Sequence, residues 1–395
     1  MANNNDKKVL NVPALRFPEF KGEWKKMRLG DNCNIQMCKR IMAAQTNTEG
    51  GVPFYKIGTI GGKADAYISK DLFDEYKMKY SFPHKGEVMI TCAGTVGKCI
   101  IYNGEDSYYQ DSNIVWIDNP NEIISNDFLY HLLSKINWSH LNSTTIVRIY
   151  NDDLRNLKLY YPHHDEQKKI THLFQLINER IATQNKIIED LKKLKSAIIE
   201  EHYKHTQKQN ACVADLGVPF NVGNLSKEEL SETGTSCVIY GELFTTYGEI
   251  INHVESHTNK LDGMTLSKKG DLLFPSSTTV DALSLIAPSA INVDNVILGG
   301  DMFGIHINSG FNAQYLSYYF NHLAKKQFAK HAKGSTIIHL HYKDIEKAQL
   351  LLPCLVEQNK MAACLVLLDE KIRIESSHLQ SVVKQKMYLL HQMFI

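Results

Sequence analysis

An internal duplication that contains two long helical segments constrains this chain most. Residues 145–154 (TIVRIYNDDL) resemble residues 336–345 (TIIHLHYKDI), which lie 191 positions later. At the same offset, residues 162–167 (PHHDEQ) and 353–358 (PCLVEQ) share a proline and a Glu-Gln pair. Because self-similarity at a fixed separation is typical of repeated structural units, we expect one architecture to be built twice.

A second pair of motifs lies upstream at a different offset. Residues 85–89 (KGEVM) resemble residues 269–273 (KGDLL), which lie 184 positions later. The two copies therefore differ in length between these motifs, as variable loops on a shared scaffold would. At the start of the second copy, residues 216–217 (LG) echo residues 29–30.

Each Glu-Gln pair precedes a helical segment with an apolar seam. The seam advances in alternating steps of four and three residues, which predicts a coiled-coil helix in each copy. Its apolar members are Ile170, Phe174, Ile177, Ile181, Ile188, Leu191 and Ile198 in the first copy, and Met361, Leu365, Leu368, Ile372, Leu379, Val382 and Leu389 in the second. Polar residues interrupt both seams at matching places, with Gln184 matching Glu375 and Lys195 matching Lys386.

Two such helices in one chain have an obvious mutual partner, because an exposed apolar stripe is unfavourable in water. We expect them to pair antiparallel within the chain if a pseudo-two-fold axis relates the repeats. A homo-oligomeric coiled coil is the alternative, and it needs only one copy.

The rest of the chain has the pattern of short strands between turns. We expect strands at 88–90, 99–102 and 114–117, and helices at 127–135 and 314–328. The predicted fold class is α+β, with two strand-rich domains separated by a pair of long antiparallel coiled-coil helices. The predicted segments are a first domain at 1–160, a first long helix at 161–205, a second domain at 206–350 and a second long helix at 351–395.

The distribution of charge says more than the net charge of +1. Residues 206–350 contain 11 Lys and no Arg against 14 Asp and Glu, so a nucleic-acid partner would need a localised basic patch. The eight cysteines form no CxxC pair, which favours free thiols in a reducing cytoplasm. No apolar run approaches the roughly 18–20 residues that span a membrane, so we expect no membrane association and a cytoplasmic protein.

Several phrases of this sequence resemble the DNA specificity subunits of Type I restriction-modification systems. They are residues 13–20 (PALRFPEF) with Trp24 and residues 29–31 (LGD), residues 159–162 (LYYP) and 351–353 (LLP) with the Glu-Gln pairs that follow them, and residues 239–245 (IYGELFT). The resemblance covers essentially the whole chain. Its most specific part is the repeated entry from Pro and Glu-Gln into a heptad helix.

The resemblance implies a protein that binds double-stranded DNA and has no catalytic centre of its own. Each strand-rich domain would be a target recognition domain for one half of a split sequence, and the helices would set the gap between the halves. The implied partners are two methyltransferase subunits, which use S-adenosylmethionine, and two restriction-translocase subunits, which use ATP and Mg²⁺. The chain itself is expected to hold no cofactor and no metal.

Three clusters contain the donors and acceptors that could contact bases or phosphates. The first is a turn with Thr95 and Lys98, matched in the second copy by Ser276, Ser277 and Thr278. The second precedes each Pro and Glu-Gln motif and comprises Ser143, Thr144, Thr145, Arg148, Tyr150 and Asn151, then Ser335, Thr336, His339 and His341. The third is Lys326, Lys330 and Lys333, which would share one face of a helix. An ordinary hairpin turn, a structural histidine pair and a solvated helix face are the respective alternatives.

Three alternative functions were compared with the sequence: a methyltransferase, a two-headed adaptor and a specificity subunit of a Type II-like system. An adenine methyltransferase would need an Asn/Asp-Pro-Pro-aromatic site, and no Pro-Pro pair or P-loop occurs. A two-headed adaptor that binds protein or carbohydrate stays open, and DNA affinity that falls steeply with salt would exclude it. A specificity subunit of a combined cleaving and methylating, Type II-like system also stays open, because that difference lies in the partner.

Overall fold

A computed structural model describes residues 11–138 and 148–395, which form two compact units. The first unit extends to Gln184 and includes His378–Ile395, and the second is Asn185–Ser377. The division therefore falls inside both long helices, whereas the sequence placed boundaries at their ends. No helix among the described residues is long and apolar enough to cross a membrane.

The described residues of the first unit form three small sheets and three short α-helices. In chain order its elements are β1 (Lys25–Arg28), β2 (Asn34–Gln36), β3 (Val52–Tyr55), β4 (Tyr67–Ile68), α1 (Lys70–Lys79), β5 (Val88–Thr91), β6 (Cys99–Ile101), β7 (Tyr108–Tyr109), β8 (Ile114–Asp118), α2 (Asn126–Lys135), α3 (Asn151–Arg155) and β9 (Lys158–Tyr161). The largest sheet is antiparallel with strand order β2-β8-β5-β6. The others are β4-β3-β7 and the antiparallel pair β1-β9.

Strand β8 lies between two apolar cores of the first unit. Val115 and Ile117 face a core that also contains Trp24, while Ile114 and Trp116 face the other core. Each of these β8 side chains is at most 2% exposed. A strand buried on both faces explains why its sequence is a continuous apolar run rather than an alternating one.

The second unit is richer in strands. Its elements begin with β10 (Lys208–Cys212), β11 (Gly217–Asn221), β12 (Leu230–Ser231), β13 (Thr235–Ile239), α5 (Glu242–Thr245), β14 (Ile250–Ile251), β15 (Ser256–Thr258), β16 (Thr265–Leu266), β17 (Asp271–Pro275), β18 (Ser277–Thr278) and α6 (Ala282–Leu285). They continue with β19 (Ser289–Ile291), β20 (Ile297–Gly299), β21 (Met302–Ile307), α7 (Ala313–Tyr318), α8 (Lys325–Ala329), β22 (Ile338–His339), α9 (Tyr342–Ile345) and β23 (Gln349–Pro353). Two five-stranded sheets have the orders β11-β21-β17-β19-β14 and β12-β15-β13-β20-β16, and β10-β23 and β18-β22 are separate pairs.

The single helix expected at 314–328 is interrupted. Helix α7 ends at Tyr318, a π-helical turn follows at Tyr319–Leu323, and α8 is only five residues long. The wider turn contains one extra residue, and within it Tyr319 and Phe320 are both buried, as is Phe328 of α8. Burial of this aromatic cluster therefore overrides the regular helix that local propensity favours.

The two long helices are α4 (His164–His205) and α10 (Leu355–Met393). Every apolar seam residue predicted from the heptad pattern is buried or half-buried. In the first unit, the ring of Phe174 near the start of α4 lies 5.8 Å from the ring of Phe394, which directly follows α10. The ring of Phe394 also lies 4.9 Å from that of Phe128 on α2. The beginning of one helix thus packs beside the end of the other.

In the second unit the complementary portions of the helices meet. Ile199 near the end of α4 shares a core with Met361 and Leu365 near the start of α10. His202 Nε2 lies 3.5 Å from Glu357 Oε2. Within each unit the two helices therefore run antiparallel, which confirms the predicted α+β architecture with a repeated pair of helices.

The polar interruption at Lys195 anchors the second unit. Its ammonium group lies 3.0 Å from Glu249 Oε1 and 2.8 Å from Asp369 Oδ1. Tyr318 donates a hydrogen bond to Asp369, and His322 lies 2.6 Å from Glu249. Although burial raises the pKa of Glu249, the hydrogen bonds and the positive charge of Lys195 bring it to about 2. The buried cation thereby joins both long helices to the strand-rich part of this unit.

The glutamine of each Glu-Gln pair joins a long helix to its own unit. Gln167 Oε1 accepts a hydrogen bond of 2.8 Å from the backbone N–H of Ser125, the N-cap residue of α2. Gln358 Oε1 accepts the equivalent bond of 2.9 Å from Asn312, the N-cap residue of α7. Both amide groups also donate to the carbonyl of the preceding proline, at 3.1 and 2.8 Å. In each copy the glutamine therefore fixes the start of the long helix to its own unit, and we call these hydrogen bonds of Gln167 and Gln358 the glutamine locks.

The backbone also defines where the second copy begins. Leu29 N–H donates to Leu157 O, and Val213 N–H donates to Ala348 O in the same way. Val213 lies 184 positions after Leu29, the offset of the upstream motifs. The match of residues 216–217 with residues 29–30 was therefore wrong by three positions.

Removal of the first lock is expected to destabilise the protein. Gln167→Ala leaves the backbone N–H of Ser125 and the carbonyls of Ile123 and Pro162 without their partner in a buried site. We expect a loss of about 2–3 kcal/mol in the free energy of unfolding, measured by urea denaturation. The control is Gln175→Ala on an exposed face of the same helix, with an expected change within about 0.5 kcal/mol. Equal losses for the two variants would contradict the role of the lock.

His131 makes the stability of the first unit depend on pH. Its ring is 5% exposed and lies 4.6 Å from the ring of Phe174, and burial lowers its pKa to about 4. Below pH 6.5 the unfolded chain therefore binds a proton that the folded chain does not, so stability falls as the pH drops from 6.5 to 4. The loss approaches about 3 kcal/mol.

His131→Gln is expected to remove this component of the pH dependence, measured by thermal unfolding from pH 7 to 4.5. His163→Gln, which replaces an exposed side chain, provides the matched control and keeps the wild-type profile. The opposite result, a wild-type profile for His131→Gln, would show that His131 is not the group that titrates.

Candidate nucleic-acid interface

The turn between β5 and β6 is built largely by its own hydrogen bonds. Thr91 Oγ1 accepts a hydrogen bond of 3.0 Å from the Lys98 backbone N–H and donates one to the carbonyl of Thr95. Gly97 has a φ of 83°, and a Cβ there would lie 2.0 Å from a ring carbon of Trp138. The Lys98 ammonium donates to the carbonyl of Ile60 at 2.5 Å. Thr95 is exposed, whereas the cation of Lys98 already has a partner.

Residues 148–151 lie beside this turn. Ile149 N–H donates to the carbonyl of Cys92 at 2.9 Å. The guanidinium of Arg148 lies 5.8 Å from the ring centroid of Tyr150, which is 58% exposed. Asn151 begins α3. The predicted site residues Ser143, Thr144 and Thr145 lie outside the described residues.

The second unit repeats this arrangement with other side chains. Leu340 N–H donates to the carbonyl of Ser276 at 3.0 Å, as Ile149 does to Cys92. The rings of His339 and His341 are stacked, with their centroids 6.1 Å apart and their planes at 12°. Arg148 and Tyr150 in one unit thus correspond to His339 and His341 in the other, at positions fixed by an equivalent backbone hydrogen bond.

A carboxylate fixes the second member of each pair. Asp153 accepts a hydrogen bond of 2.7 Å from the backbone N–H of Tyr150, and Asp344 accepts one of 2.9 Å from that of His341. Both bonds cap the short helix that follows, α3 or α9. The pairs are therefore held by regular structure, with Tyr150, His339 and His341 exposed and Arg148 half-buried.

Two serines predicted to contact DNA are buried instead. Ser276 is 7% exposed and Ser277 is 5% exposed. The hydroxyl of Ser277 donates to Asp301 Oδ2 at 2.8 Å, because β18 pairs with β22 and turns this side chain inward. Thr278 is half-buried, and its hydroxyl accepts a hydrogen bond from the Val280 N–H. A DNA contact by Ser276 and Ser277 stays a prediction, and their burial does not favour it.

The loop before His339 is a tight and exposed turn. Lys333 and His339 exchange two backbone hydrogen bonds, of 2.9 and 2.7 Å. Gly334 has a φ of 110°, and a Cβ there would lie 2.1 Å from the carbonyl oxygen of Ile337. Ser335 and Thr336 are exposed at the tip together with Ile337. This turn presents two hydroxyls and one apolar side chain to solvent.

The three lysines expected on one helix face do not share one. Helix α8 ends at Ala329, so Lys330 follows its last residue and Lys333 belongs to the hairpin turn. The Lys333 ammonium also lies 2.5 Å from Asp344 Oδ1. Lys326 and Lys330 are exposed. The short helix is a consequence of the π-helical turn before it, which sequence periodicity did not indicate.

The structure adds residues that the sequence did not single out. Met37, Ser112 and Arg155 line a surface groove together with Arg148 and Tyr150. They come from three separate segments, so only the fold brings them together. Arg155 is half exposed and lies 2.9 Å from Asp152, one turn earlier in sequence. Its signal in the sequence was a basic residue shortly after the repeated motif.

The thiol of Cys92, which lies beside this site, is expected to be a poor nucleophile. Burial raises the pKa of Cys92 to about 12, although the positive charge of Arg148 acts in the opposite direction. A protonated thiol is a poor nucleophile. Within residues 11–138 and 148–395, no group of three or more His, Cys, Asp or Glu side chains could hold a metal ion.

Comparisons with known proteins agree with this repeated architecture. A putative type I restriction enzyme specificity subunit of Haemophilus influenzae, S.HindORF215P, is 47% identical over 163 residues, which is 41% of this chain and 40% of that protein. The putative MjaX specificity subunit of Methanocaldococcus jannaschii is 22% identical over 96% of this chain and 95% of its own length.

Solved structures share the fold over nearly the whole chain. The S subunit of a Type I restriction-modification system from M. genitalium superposes with a TM-score of 0.59 at 14% identity, over 97% of this chain and 99% of that one. A chain from a type I R-M system whose complex assembly and conformational transition were studied has a TM-score of 0.57 at 14% identity, over 93% and 96%.

The family model of the Type I restriction modification DNA specificity domain matches this chain twice. The matched segments are residues 21–193 and 213–385, so each match contains one copy of the repeat and most of the long helix that follows it. The chain therefore belongs to the family of Type I restriction modification DNA specificity domains.

Proposed function

We propose that this chain is the non-catalytic specificity subunit of a Type I restriction-modification complex and that each unit reads one half of a bipartite DNA target. The observation that carries this proposal is that Arg148 and Tyr150 in one unit and His339 and His341 in the other lie at the same backbone positions beside an equivalent turn. Recognition of two different half-sequences requires different base-contacting side chains, which a shared backbone can hold in equivalent positions.

The chemistry of each pair suits contact with DNA. The guanidinium of Arg148 can donate two hydrogen bonds to the O6 and N7 atoms of guanine, and the ring of Tyr150 limits its orientations. His339 and His341 offer ring nitrogens, and Thr336 offers a hydroxyl. The two units would therefore read different bases with the same backbone geometry.

Lysines near the second pair supply contacts of another kind. Helix α6 packs against both α8, which contains Lys326, and β22, which follows the hairpin turn. Lys326 and Lys330 would neutralise phosphates and position the unit without reading sequence. This local positive charge offsets the excess of acidic residues in 206–350.

In this proposal the chemistry resides in partner subunits. Two adenine methyltransferase subunits would bind S-adenosylmethionine, and two restriction-translocase subunits would use ATP and Mg²⁺. The specificity subunit would place the target adenines within reach of the methyltransferase active sites. The assembly would act in the cytoplasm, where the host DNA is methylated.

Arg148→Ala is expected to relax sequence preference at one position of one half-site. Loss of a bidentate contact to guanine lowers discrimination by about 1–3 kcal/mol, which is roughly 5- to 150-fold. The measurement is competition between single-base variants of the target for the assembled methyltransferase complex. Arg373→Ala, an exposed arginine on α10, is the control with unchanged preference. Unchanged preference in Arg148→Ala would exclude a base-reading role.

Lys330→Ala is expected to weaken DNA binding equally for all sequences. One fewer phosphate contact reduces the slope of log affinity against log salt by about 0.9. The measurement is fluorescence anisotropy of a target duplex between about 50 and 200 mM salt. Lys227→Ala is an exposed control in the same unit and keeps the wild-type slope. If the wild-type complex itself binds DNA without salt dependence, the proposed function fails, and a protein or carbohydrate adaptor is favoured.

A further inference from the structure

An apolar side chain at the hairpin turn of the second unit continues the row of the two histidines. Along β22 and the residues beside it, Ile338 packs against the core and Leu340 is fully buried. Because successive side chains of an extended chain point to opposite faces, Ile337, His339 and His341 share the other face. All three are exposed, and Ile337 is 49% exposed. The face that carries the histidine pair therefore also carries an isoleucine.

The backbone on both sides of Ile337 is fixed by hydrogen bonds. Lys333 and His339 exchange two backbone hydrogen bonds across the turn, and β22 pairs with β18. The turn is so tight that a Cβ at Gly334 would lie 2.1 Å from the carbonyl oxygen of Ile337. A backbone held in this way presents its side chain without a further ordering cost on binding.

Val280 adds a second exposed apolar side chain beside the turn. It follows β18 and is 72% exposed. Thr278 is opposite Ile338 in the antiparallel pair, so the chain beyond Thr278 leads toward Ile337. Helix α6 begins two residues after Val280 and contacts both β18 and β22, which keeps this segment beside the hairpin. Ile337 and Val280 together form what we call the apolar tip.

The fold does not require an apolar residue at position 337. Ile337 belongs to none of the apolar cores that the described residues of its unit form. Exposed turns favour Gly, Asn, Asp and Ser, and its neighbours Ser335 and Thr336 are polar and exposed. A rigidly held apolar side chain that is bordered by polar groups is typical of a binding surface.

Base edges in the major groove of DNA present the same mixture of chemical groups. They carry hydrogen-bond donors and acceptors, and the apolar group among them is the C5-methyl group of thymine. The histidine rings can bond to donors or acceptors, whereas the side chain of Ile337 can make a favourable contact only with the methyl group. Alternate residues of a strand lie about 6.6 Å apart and base pairs are stacked about 3.4 Å apart, so Ile337 would face a base within about two base pairs of the one that His339 faces.

We propose that Ile337 reads a thymine in the half-sequence of the second unit, through contact between its side chain and the C5-methyl group of that base. This inference rests on the proposed function and names one base of the target. Val280 covers one side of the contact and excludes water from it. The preference for thymine over cytosine follows because cytosine carries no methyl group at this edge.

Replacement of thymine by deoxyuridine tests the contact, because it removes the methyl group and keeps every hydrogen-bonding group of the base. The target of the assembled methyltransferase complex is selected from randomised duplexes, and each of its thymines is then replaced one at a time. Binding is measured by competition with the unmodified duplex. One replacement is expected to weaken binding by about fourfold, the factor for burial of one methyl group.

Ile337→Ala should remove this preference, so that the thymine and uracil duplexes bind equally at that position. The slope of log affinity against log salt should stay that of the wild type, because no charge changes. Val218→Ala is the matched control, since it shortens an exposed β-branched side chain on the edge strand β11 of the same unit and should keep the fourfold preference.

Two results would overturn the inference while the proposed function stands. In a complex that binds its target with the expected salt dependence, they are equal binding of the wild type to every uracil duplex, and a thymine preference in Ile337→Ala that equals that of the wild type. Absence of salt-dependent DNA binding by the wild-type complex would overturn the proposed function and this inference together.

Discussion

Burial of the apolar stripe on each long helix is the constraint on which the rest of the structure depends. Neither stripe can remain in water, and within each unit the two helices cover each other while both pack on the strand-rich part. Gln167 and Gln358 fix that packing because each bonds the N-cap of a helix in its own unit. Lys195 adds a buried ionic anchor in the second unit. The side chains that we propose to read DNA are attached to a framework fixed in this way.

The sequence predicted what depends on spacing and missed what depends on distant partners. The heptad positions and the Glu-Gln repeat were visible because their periods are local. The hydrogen bonds of Gln167 were not visible in the sequence. Two of its partners, the backbone N–H of Ser125 and the carbonyl of Ile123, lie 42 and 44 residues upstream. The burial of Ser277 was not visible for the same reason, because its hydroxyl bonds Asp301, which lies 24 residues later. The shared face expected for Lys326 and Lys333 failed because a π-helical turn shortened the helix.

The two copies of the repeat share backbone hydrogen bonds at the candidate interface but have different side chains there. Equivalent hydrogen bonds to Cys92 O and Ser276 O hold an arginine-tyrosine pair in one unit and a histidine pair in the other. The second copy also has no arginine between residues 206 and 350. Any guanine contact there depends on lysine, histidine or main-chain donors. Under the proposed function, this difference in side chains would make the two units read different half-sequences.

The most direct test of this account is to transfer the pair of the first unit into the second. In the assembled methyltransferase complex, His339→Arg is combined with His341→Tyr, and the preferred targets are selected from a pool of randomised duplexes. The account predicts that the half-sequence read by the second unit changes toward guanine at one position while the other half-sequence is retained. An unchanged target, or a change in the half-sequence of the first unit, would contradict it.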